Sequence, residues 1–175
     1  KDPNIAKKLS DDVDEMEKML NEYLQFASIG AKEKTEKFEI NEFINSIISK
    51  YDDSTISFNG DKDIDFEGRK NLIKRCISNL IDNSLKYGKK ININTEKIKK
   101  NLLIFIEDDG PGIPKNEYEN VFKPFYKIDK SRAEGKSSVG LGLSISSDIV
   151  RSHGGNIKLD SSKMGGLKVI ISLPL

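Results

Sequence analysis

From residue 38 onward the chain alternates short strand-like runs with helical segments, and this alternation limits the folds that it can adopt. Residues 69–87 carry apolar side chains at helical spacing, and Gly88 ends the run. A second long helix is predicted over residues 140–153, where two glycines follow. The other apolar runs predict strands: KFEI, TISFNG, DIDFEG, KININ, NLLIFIEDD, NIKLDS and GLKVIISLPL. The predicted fold class is therefore α/β, a two-layer sandwich with helices on one face of a mixed sheet.

Four local features of this region carry expectations of their own. Asn41 is predicted to cap a helix that continues to Tyr51. TISFNG and DIDFEG are predicted to be two strands joined by a turn at or just after Asn59–Gly60. A short helix is expected near Lys115–Asn120, and the last two apolar runs predict a closing hairpin.

Residues 4 to about 29 predict one long amphipathic helix. Residues 4–29 contain no proline or glycine, so a helix of roughly 39 Å, at about 1.5 Å per residue, is uninterrupted. Apolar residues recur there at spacings of three and four: Ile5, Leu9, Val13, Met16, Leu20, Tyr23 and Ala27. Such a stripe favours a partner in a helical bundle, and docking on the following domain is the alternative. We assign residues 1–30 to this helix, 31–37 to a linker and 38–175 to the domain.

Composition argues against several classes of function. The formal net charge of +1 is too balanced to indicate a nucleic-acid partner. With Cys76 as the single cysteine and one histidine, an internal disulfide is impossible and a zinc site has almost no ligands. No apolar run approaches the roughly 18 residues of a membrane-spanning helix, and no signal peptide precedes the domain. We therefore expect this fragment itself to be soluble.

Two asparagines on the helix predicted over residues 69–87 point to a polar site. Asn79, Asn83 and Lys86 lie at i, i+4 and i+7, along one edge of the apolar face, with Tyr87 beside them. Asparagine is a poor helix former because its amide competes with the backbone, so amides at the edge of a buried face need partners. Either they form a polar rim against a loop, or one amide oxygen binds Mg²⁺ while Lys86 reaches toward phosphate.

Three further motifs are ambiguous when each is taken alone. EDDGPGIP, residues 107–114, follows a buried strand and is either a solvated turn or a ligand-binding bend. Gly140 and Gly142 open a helix whose free N–H groups suit phosphate, although a dinucleotide fingerprint would need a third glycine. FKPFYK, residues 122–127, places two phenylalanines as a hydrophobic anchor where a polar loop begins. That loop either closes as a lid over a ligand or is an ordinary surface loop.

Taken together, N-x-x-x-N, D-x-G-x-G, F-x-P-F and G-L-G-L in this order resemble the motifs of sensor histidine kinases. The resemblance covers residues 38–175, the catalytic ATP-binding domain, which has the Bergerat-type fold shared with DNA gyrase and heat-shock chaperones. Within that family, the chain resembles the osmosensing EnvZ-type kinases. The preceding DDVDEMEKMLNEYLQFAS is similar to the second helix of the dimerisation hairpin of these kinases.

The resemblance implies a role for most of these residues. The Asp108 carboxylate would accept a hydrogen bond from the exocyclic amine of adenine, which selects against guanine, and Asn83 would bind Mg²⁺. Lys86 and Arg132 are candidate phosphate contacts, and Phe122 would anchor the lid. The full nucleotide-binding set implied is Asn79, Asn83, Lys86, Tyr87, Asp108, Gly110, Gly112, Ile113, Phe125, Lys127, Arg132, Val139, Gly140, Leu141, Gly142 and Leu143. Ser138 and Val139 depart from the G-T-G-L-G-L of many members, which puts the lid hinge in doubt more than binding.

The implied activity is transfer of the γ-phosphoryl group of ATP to a histidine on the first hairpin helix. No H-E-x-x-x-P motif is present, and His153 matches a structural H-G-G, so we expect this fragment to bind Mg-ATP or Mg-ADP without phosphorylating itself. The intact protein would be a homodimeric inner-membrane sensor whose cytoplasmic portion passes phosphate to a response regulator receiver domain. The alternatives are an ATP-hydrolysing clamp of the same superfamily and a non-catalytic nucleotide-binding scaffold. Asn79 disfavours the clamp, because those relatives carry a general-base Glu at this place.

Overall fold

The structure, a computed structural model, describes residues 33–128 except 53 and 62, residues 140–175, and ten separate residues between 5 and 24. Two short 3-10 helices, Lys115–Glu117 and Asn120–Phe122, take the place of the short helix expected near residue 115. The remaining elements are β1 (Glu36–Glu39), α1 (Ile40–Ile48), β2 (Ile56–Gly60), β3 (Asp65–Gly68), α2 (Lys70–Tyr87), β4 (Ile91–Ile98), β5 (Asn101–Asp108), α3 (Gly142–Ser152), β6 (Asn156–Ser161) and β7 (Leu167–Pro174).

The core lies between a five-stranded mixed sheet and the three helices. The strand order is β2-β4-β5-β7-β6, with β2 parallel to β4 and the other pairs antiparallel. Side chains alternate along β5, so Leu102, Ile104 and Ile106 are buried with the apolar faces of α1, α2 and α3. The two-layer α/β prediction and the closing β6–β7 hairpin are confirmed.

The predicted hairpin between TISFNG and DIDFEG is wrong. β2 pairs in parallel with β4, Ile56 opposite Ile91, whereas β3 pairs with β1 in a separate two-stranded sheet. Asn59 and Gly60 therefore belong to a strand and not to a turn. Alternation of apolar residues identifies strands but not their partners, and a parallel partner needs a long crossover connection, here the one that contains α2.

The cap of α1 also differs from the prediction. Glu39 occupies the N-cap position, and its carboxylate accepts a hydrogen bond from the Glu42 N–H at 2.6 Å. Asn41 lies one residue inside the helix, and its side chain binds the Thr95 hydroxyl at 2.6 Å and the Asp61 carbonyl. An asparagine side chain can form hydrogen bonds with groups on a strand as readily as with the free N–H groups of a helix end. The presence of an asparagine therefore does not by itself locate the N-cap.

His153 helps to hold the start of α2. Its Nε2 accepts a hydrogen bond from the Arg69 N–H at 3.0 Å, and its Nδ1 lies 2.8 Å from the Ile149 carbonyl oxygen. Because one ring nitrogen accepts and the other faces a carbonyl, the ring is neutral with its proton on Nδ1. Glu33 caps the same helix end through the Asn71 and Leu72 N–H groups, at 2.5 and 3.2 Å. These contacts support the structural role expected for His153.

We predict that acidification destabilises the fold through His153. Burial, with a smaller contribution from the Arg69 charge, lowers its pKa below the ordinary 6.5, against opposing effects of Ile149 and Glu33. A group with a depressed folded-state pKa contributes stability above the unfolded pKa, and that contribution is lost as pH falls through the folded pKa. Urea unfolding from about pH 7.5 to about 5.5 should show a declining free energy of unfolding, and His153→Gln should flatten the decline. An equally steep decline in the variant would contradict this.

The ten described residues between 5 and 24 are helical and solvent-exposed. The apolar ones are 52–67% exposed, although they lie at helical spacing: Ile5, Leu9, Val13, Met16, Leu20 and Leu24. Tyr23 and Ala27, predicted for the same stripe, lie outside the described residues. Within the part of the chain that the structure describes, no helix has the length and hydropathy needed to cross a membrane.

Candidate functional site

Asp108 is a buried carboxylate at the last residue of β5. Its side chain is on the helix-covered face of the sheet, and the residue is only 4% exposed. One oxygen, Oδ1, accepts hydrogen bonds from the Gly110 N–H at 2.9 Å and the Leu167 N–H at 3.1 Å. Two backbone donors on one oxygen fix the orientation of the carboxylate. Among the residues that the structure describes, no hydrogen-bond donor is found at the other oxygen.

The chain after Asp108 bends closely against the end of α2. A Cβ atom added at Gly110 would lie 3.1 Å from the Tyr87 carbonyl oxygen, and Gly112 has a φ of +69°. Glycine is therefore favoured at Gly112 by conformation and at Gly110 by close approach. Ile113 is half-buried and packs against the core, so an apolar wall follows the bend.

The polar edge of α2 extends from the start of α3 to this bend. Asn79, Asn83 and Lys86 are half-buried, whereas Tyr87 is 53% exposed. The Lys86 ammonium lies 5.3 Å from the centroid of the Tyr87 ring. The Asn79 Cβ atom is 4.0 Å from the position that a Cβ at Gly142 would take. The structure thus brings the N-x-x-x-N helix together with the D-x-G-x-G bend at one end and the G-L-G-L segment at its middle.

The G-L-G-L segment makes a tight start for α3. Gly140 has a φ of +78°, and a Cβ there would lie 3.0 Å from the Tyr126 carbonyl oxygen. Leu141 is buried, Gly142 is the first helical residue, and Leu143 is half-buried. The helix therefore begins two residues later than predicted, because the left-handed conformation at Gly140 lies outside a helix.

The predicted phenylalanine anchor is half correct. Phe122 packs against the core, but Phe125 is 55% exposed with a φ of +64°. This conformation aims the Phe125 N–H at the Gly140 carbonyl oxygen, 3.0 Å away, and turns the side chain outward. Lys127, two residues on, is half-buried. Arg132 and Val139 lie outside the described residues.

Sequence reasoning missed Glu117 and Tyr126, which fix the segment before Phe125. The Glu117 carboxylate accepts hydrogen bonds from the Tyr126 hydroxyl at 2.6 Å and the Asn120 amide at 3.2 Å. These two bonds, with Tyr126 the larger cause, lower the pKa of Glu117. Nothing in the spacing of these residues distinguishes them from surface polar groups.

Sequence reasoning also missed Gly166 and Leu167, which reach Asp108 from the β6–β7 turn. The Gly166 N–H donates to the Asp108 carbonyl oxygen at 3.2 Å, and the Leu167 N–H binds the carboxylate. The paired glycines at 165 and 166 signal a tight turn, but their contact with a strand distant in sequence is a property of the tertiary structure.

A magnesium ion is compatible with this set of donors. Within the described residues no trio of histidine, cysteine, aspartate or glutamate forms a self-sufficient metal site. The Asn83 amide oxygen is a suitable hard ligand, and Mg²⁺ usually takes few protein ligands and completes its shell with phosphate oxygens and water. The site therefore fits a metal that arrives with a phosphate ligand.

Comparison with known proteins places this geometry in a family. Residues 68–175 match the family model described as histidine kinase-, DNA gyrase B-, and HSP90-like ATPase. The sensor histidine kinase GtrS of Pseudomonas aeruginosa is 32% identical over 175 residues, which cover 99% of this chain and 36% of GtrS. The sensor histidine kinase CpxA of Escherichia coli is 35% identical over 106 residues, which cover 60% of this chain and 23% of CpxA. The chain thus spans about a quarter to a third of these relatives.

Solved structures agree with the sequence comparison. The catalytic domain of the histidine kinase ThkA superposes with a TM-score of 0.71 at 26% identity, over 81% of this chain and 95% of that one. The mycobacterial sensor histidine kinase MprB superposes with a TM-score of 0.69 at 25% identity, over 81% and 97%. The family model alone matches more than half of the chain, and the chain therefore belongs to the histidine kinase-, DNA gyrase B- and HSP90-like ATPases.

Proposed function

We propose that the chain is the ATP-binding catalytic part of a sensor histidine kinase, which transfers the γ-phosphoryl group of ATP to a histidine on a dimerisation hairpin. The observation that carries this proposal is the Asp108 carboxylate. It is buried, it is held by two backbone N–H groups on one oxygen, and the chain that follows it bends against the end of α2. A fixed, acceptor-only group at the end of a strand suits a base that offers an amine.

The base-binding half of the site follows from this carboxylate. The second oxygen of Asp108 would accept the hydrogen bond from the adenine amine, while Ile113 would contact the face of the ring. Gly110 and Gly112 would let the backbone approach the base closely. Guanine presents a carbonyl at the same place, so the carboxylate would repel it.

The phosphate half follows from α2 and the start of α3. Asn83 would bind Mg²⁺, which the phosphates also coordinate, and Asn79 would lie beside it. Lys86 would contact the phosphates, and Tyr87 would lie near the ribose. Gly140, Leu141, Gly142 and Leu143 would face the phosphates, where free N–H groups at a helix start favour negative charge. Phe125 and Lys127 would contact the nucleotide from the opposite side.

The chemistry asked of these residues is chiefly positioning. In the transfer, the acceptor nitrogen bonds to the γ-phosphorus while the bond to the bridging oxygen breaks, and ADP leaves. Mg²⁺, when bound, would neutralise the charge that accumulates on the phosphates. Lys86 would add a second positive charge, Asn79 would lie beside the phosphate chain, and Asn83 would act on it through the metal.

An ATP-hydrolysing clamp of the same family is the second candidate. Hydrolysis needs a base that takes a proton from water, and Asn79, an amide beside Gly142, cannot do so. This residue favours transfer to another protein over hydrolysis. A non-catalytic scaffold is the third candidate, and only a transfer experiment separates it from a kinase.

The exposed apolar residues between 5 and 24 support a partner helix. We propose that residues 1–30 form the second helix of the dimerisation hairpin, that residues 31–37 link it to the domain, and that the intact protein is a homodimer. The same proposal makes the chain the cytoplasmic portion of an inner-membrane sensor. Its phosphate would pass to the receiver domain of a response regulator.

The decisive experiment supplies the acceptor separately. The chain is incubated with labelled ATP, alone and with a dimerisation hairpin that carries the acceptor histidine. Acid-labile phosphate should appear on the hairpin and not on the chain, because both ring nitrogens of His153 are engaged at the start of α2 and end of α3. Label on the chain alone would contradict the expectation, and ATP binding with no transfer would favour the scaffold.

We predict that Asn83→Ala weakens ATP binding only in the presence of magnesium. Loss of one contact to a charged group should lower the affinity for Mg-ATP about tenfold. In EDTA the variant and the wild type should bind alike. Asn71→Ala, an exposed asparagine in the first turn of the same helix, is the control and should change neither affinity. An equal loss with and without metal would remove the metal-binding role of Asn83.

A further inference from the structure

Glu107, the residue before Asp108, holds the β6–β7 turn from the other side of the sheet. Its Oε2 accepts hydrogen bonds from the Lys163 N–H and the Ser162 hydroxyl, each at 3.2 Å. Its Oε1 is 3.1 Å from the Lys168 ammonium, and the Glu107 side chain is only 13% exposed. Burial alone would raise the pKa of Glu107, but the bonds from Lys168, Lys163 and Ser162 together lower it, so the carboxylate is charged.

The segment that Glu107 holds is the one that reaches Asp108. The turn closes on itself through Ser162, whose N–H donates to the Gly166 carbonyl oxygen at 2.9 Å. Gly166 and Leu167 then donate to the carbonyl and carboxylate oxygens of Asp108, at 3.2 and 3.1 Å. The β6–β7 turn therefore contacts Glu107 on one face of β5 and Asp108 on the other. Because Glu107 holds the turn in place, it also determines the position of the Leu167 N–H.

Asp109, the residue after Asp108, holds the segment that follows α2, on the other side of the candidate site. Its Oδ1 accepts hydrogen bonds from the Lys89 N–H at 2.6 Å and the Lys90 N–H at 2.9 Å. A Cβ at Gly88 would lie 2.8 Å from the same oxygen. Residues 88–90 directly continue the last turn of α2, which carries Lys86 and Tyr87. Asp109 thereby fixes the end of that helix against the end of β5.

Both flanking acids are engaged by backbone groups beside the site. Side chains of successive strand residues point to opposite faces, so Glu107 faces away from the helices. One oxygen of Asp109 accepts both of its hydrogen bonds. Their donors are backbone N–H groups of the turn that follows α2, outside the helix. We therefore expect their influence on binding to act through the backbone segments that they hold.

We propose that Glu107 and Asp109 are positioning residues of the nucleotide site. Each holds one backbone segment of the site, the β6–β7 turn or the end of α2, against the strand that ends in Asp108. Glu107 fixes the turn that orients the Asp108 carboxylate, and so acts on the choice of base. Asp109 fixes the end of α2, and so acts on the phosphate side. This inference rests on the proposed function, in which Asp108 binds adenine.

The test compares Glu107→Gln and Asp109→Asn with the wild type in titrations of ADP, GDP and adenosine. Glu96→Gln is the matched control, since Glu96 lies on the same sheet face as Glu107 and its carboxylate binds only the Asn94 amide in the contacts described. We expect Glu107→Gln to reduce the ratio of ADP to GDP affinity about fivefold, the effect of one hydrogen bond. Asp109→Asn should reduce ADP affinity about fivefold while adenosine affinity is retained.

Asp108→Asn separates failure of this inference from failure of the proposed site. If Asp108→Asn leaves ADP binding unchanged, the proposed site is wrong. If Asp108→Asn weakens binding but both flanking variants behave like Glu96→Gln, the positioning role is wrong. Uniform weakening of all three ligands by Glu107→Gln would indicate only general loss of structure and would also contradict it. Should that variant fail to fold, Ser162→Ala removes one partner of Glu107 and should lower the base preference in the same direction.

Discussion

Asp108→Asn is expected to weaken ADP binding about 10- to 100-fold, with or without magnesium. Hydrogen bonds to charged groups contribute about 1.5–3 kcal/mol, which corresponds to this range. Because the Gly110 and Leu167 N–H groups both need an acceptor, the amide oxygen of the variant should stay with them. Its NH₂ group would then face the ligand. This donor cannot form a hydrogen bond with the adenine amine, which is also a donor, but it can donate to the carbonyl oxygen of guanine. Base preference should therefore shift toward guanine.

This expectation is measured by titrating ADP and GDP into the wild type and the variant, in magnesium and in EDTA. Asp160→Asn is the control, because Asp160 is an exposed acid on β6 whose described bond is to the next residue's N–H. It should bind both nucleotides as the wild type does. An Asp108→Asn protein that is folded and retains its ADP affinity would rule out Asp108 as the base-reading group.

Gly166→Ala is expected to destabilise the domain and to abolish tight ADP binding. A Cβ there would lie 2.1 Å from Asp108 Oδ1 and 2.5 Å from both the Asp108 carbonyl oxygen and the Gly110 nitrogen. Two of these three neighbours are backbone atoms, so they cannot move aside by rotating a side chain. Overpacking of this kind costs about 1–3 kcal/mol, and relief of the contact would displace the carboxylate. Urea unfolding and ADP titration measure the two effects.

The adjacent glycine provides a matched comparison for Gly166. Gly165 has a φ of +102°, and nothing lies within 4 Å of a Cβ added there. Gly165→Ala should therefore cost about 1–2 kcal/mol of backbone strain without touching Asp108. We expect the two variants to lose comparable stability, while only Gly166→Ala loses ADP affinity. Comparable ADP affinity in both would mean that the turn does not position the carboxylate.

Features written in local sequence were predictable. The apolar spacing of α2, the glycine that ends it and the alternation of β4, β5 and β7 each depend on neighbouring residues. The candidate site residues lie on neighbouring segments, since α2 contacts both the bend after Asp108 and the start of α3. Their individual roles in binding remain predictions.

Features that depend on distant contacts were not predictable. The partner of β2 is β4, some 35 residues away, and no turn residue announces a parallel pairing. Glu39 rather than Asn41 caps α1, because Asn41 is engaged by Thr95 of a neighbouring strand. Glu107 and Asp109 flank Asp108 in EDDGPGIP, a run that is also typical of a solvated turn. Their structural partners, in the turns at 162–163 and 89–90, cannot be inferred from a run of acids.

The parallel pairing of β2 with β4 sets a lower limit on the length of polypeptide that can fold independently. The family match begins at residue 68, yet β1, α1 and β2 precede it. An expression boundary at residue 68 would remove Ile40, Ile44 and Ile47 from the interior and leave the outer edge of β4 unprotected. Bare sheet edges invite other chains to pair with them, so such a truncated product should self-associate. A boundary at or before residue 33 avoids that outcome and retains the Glu33 cap of α2.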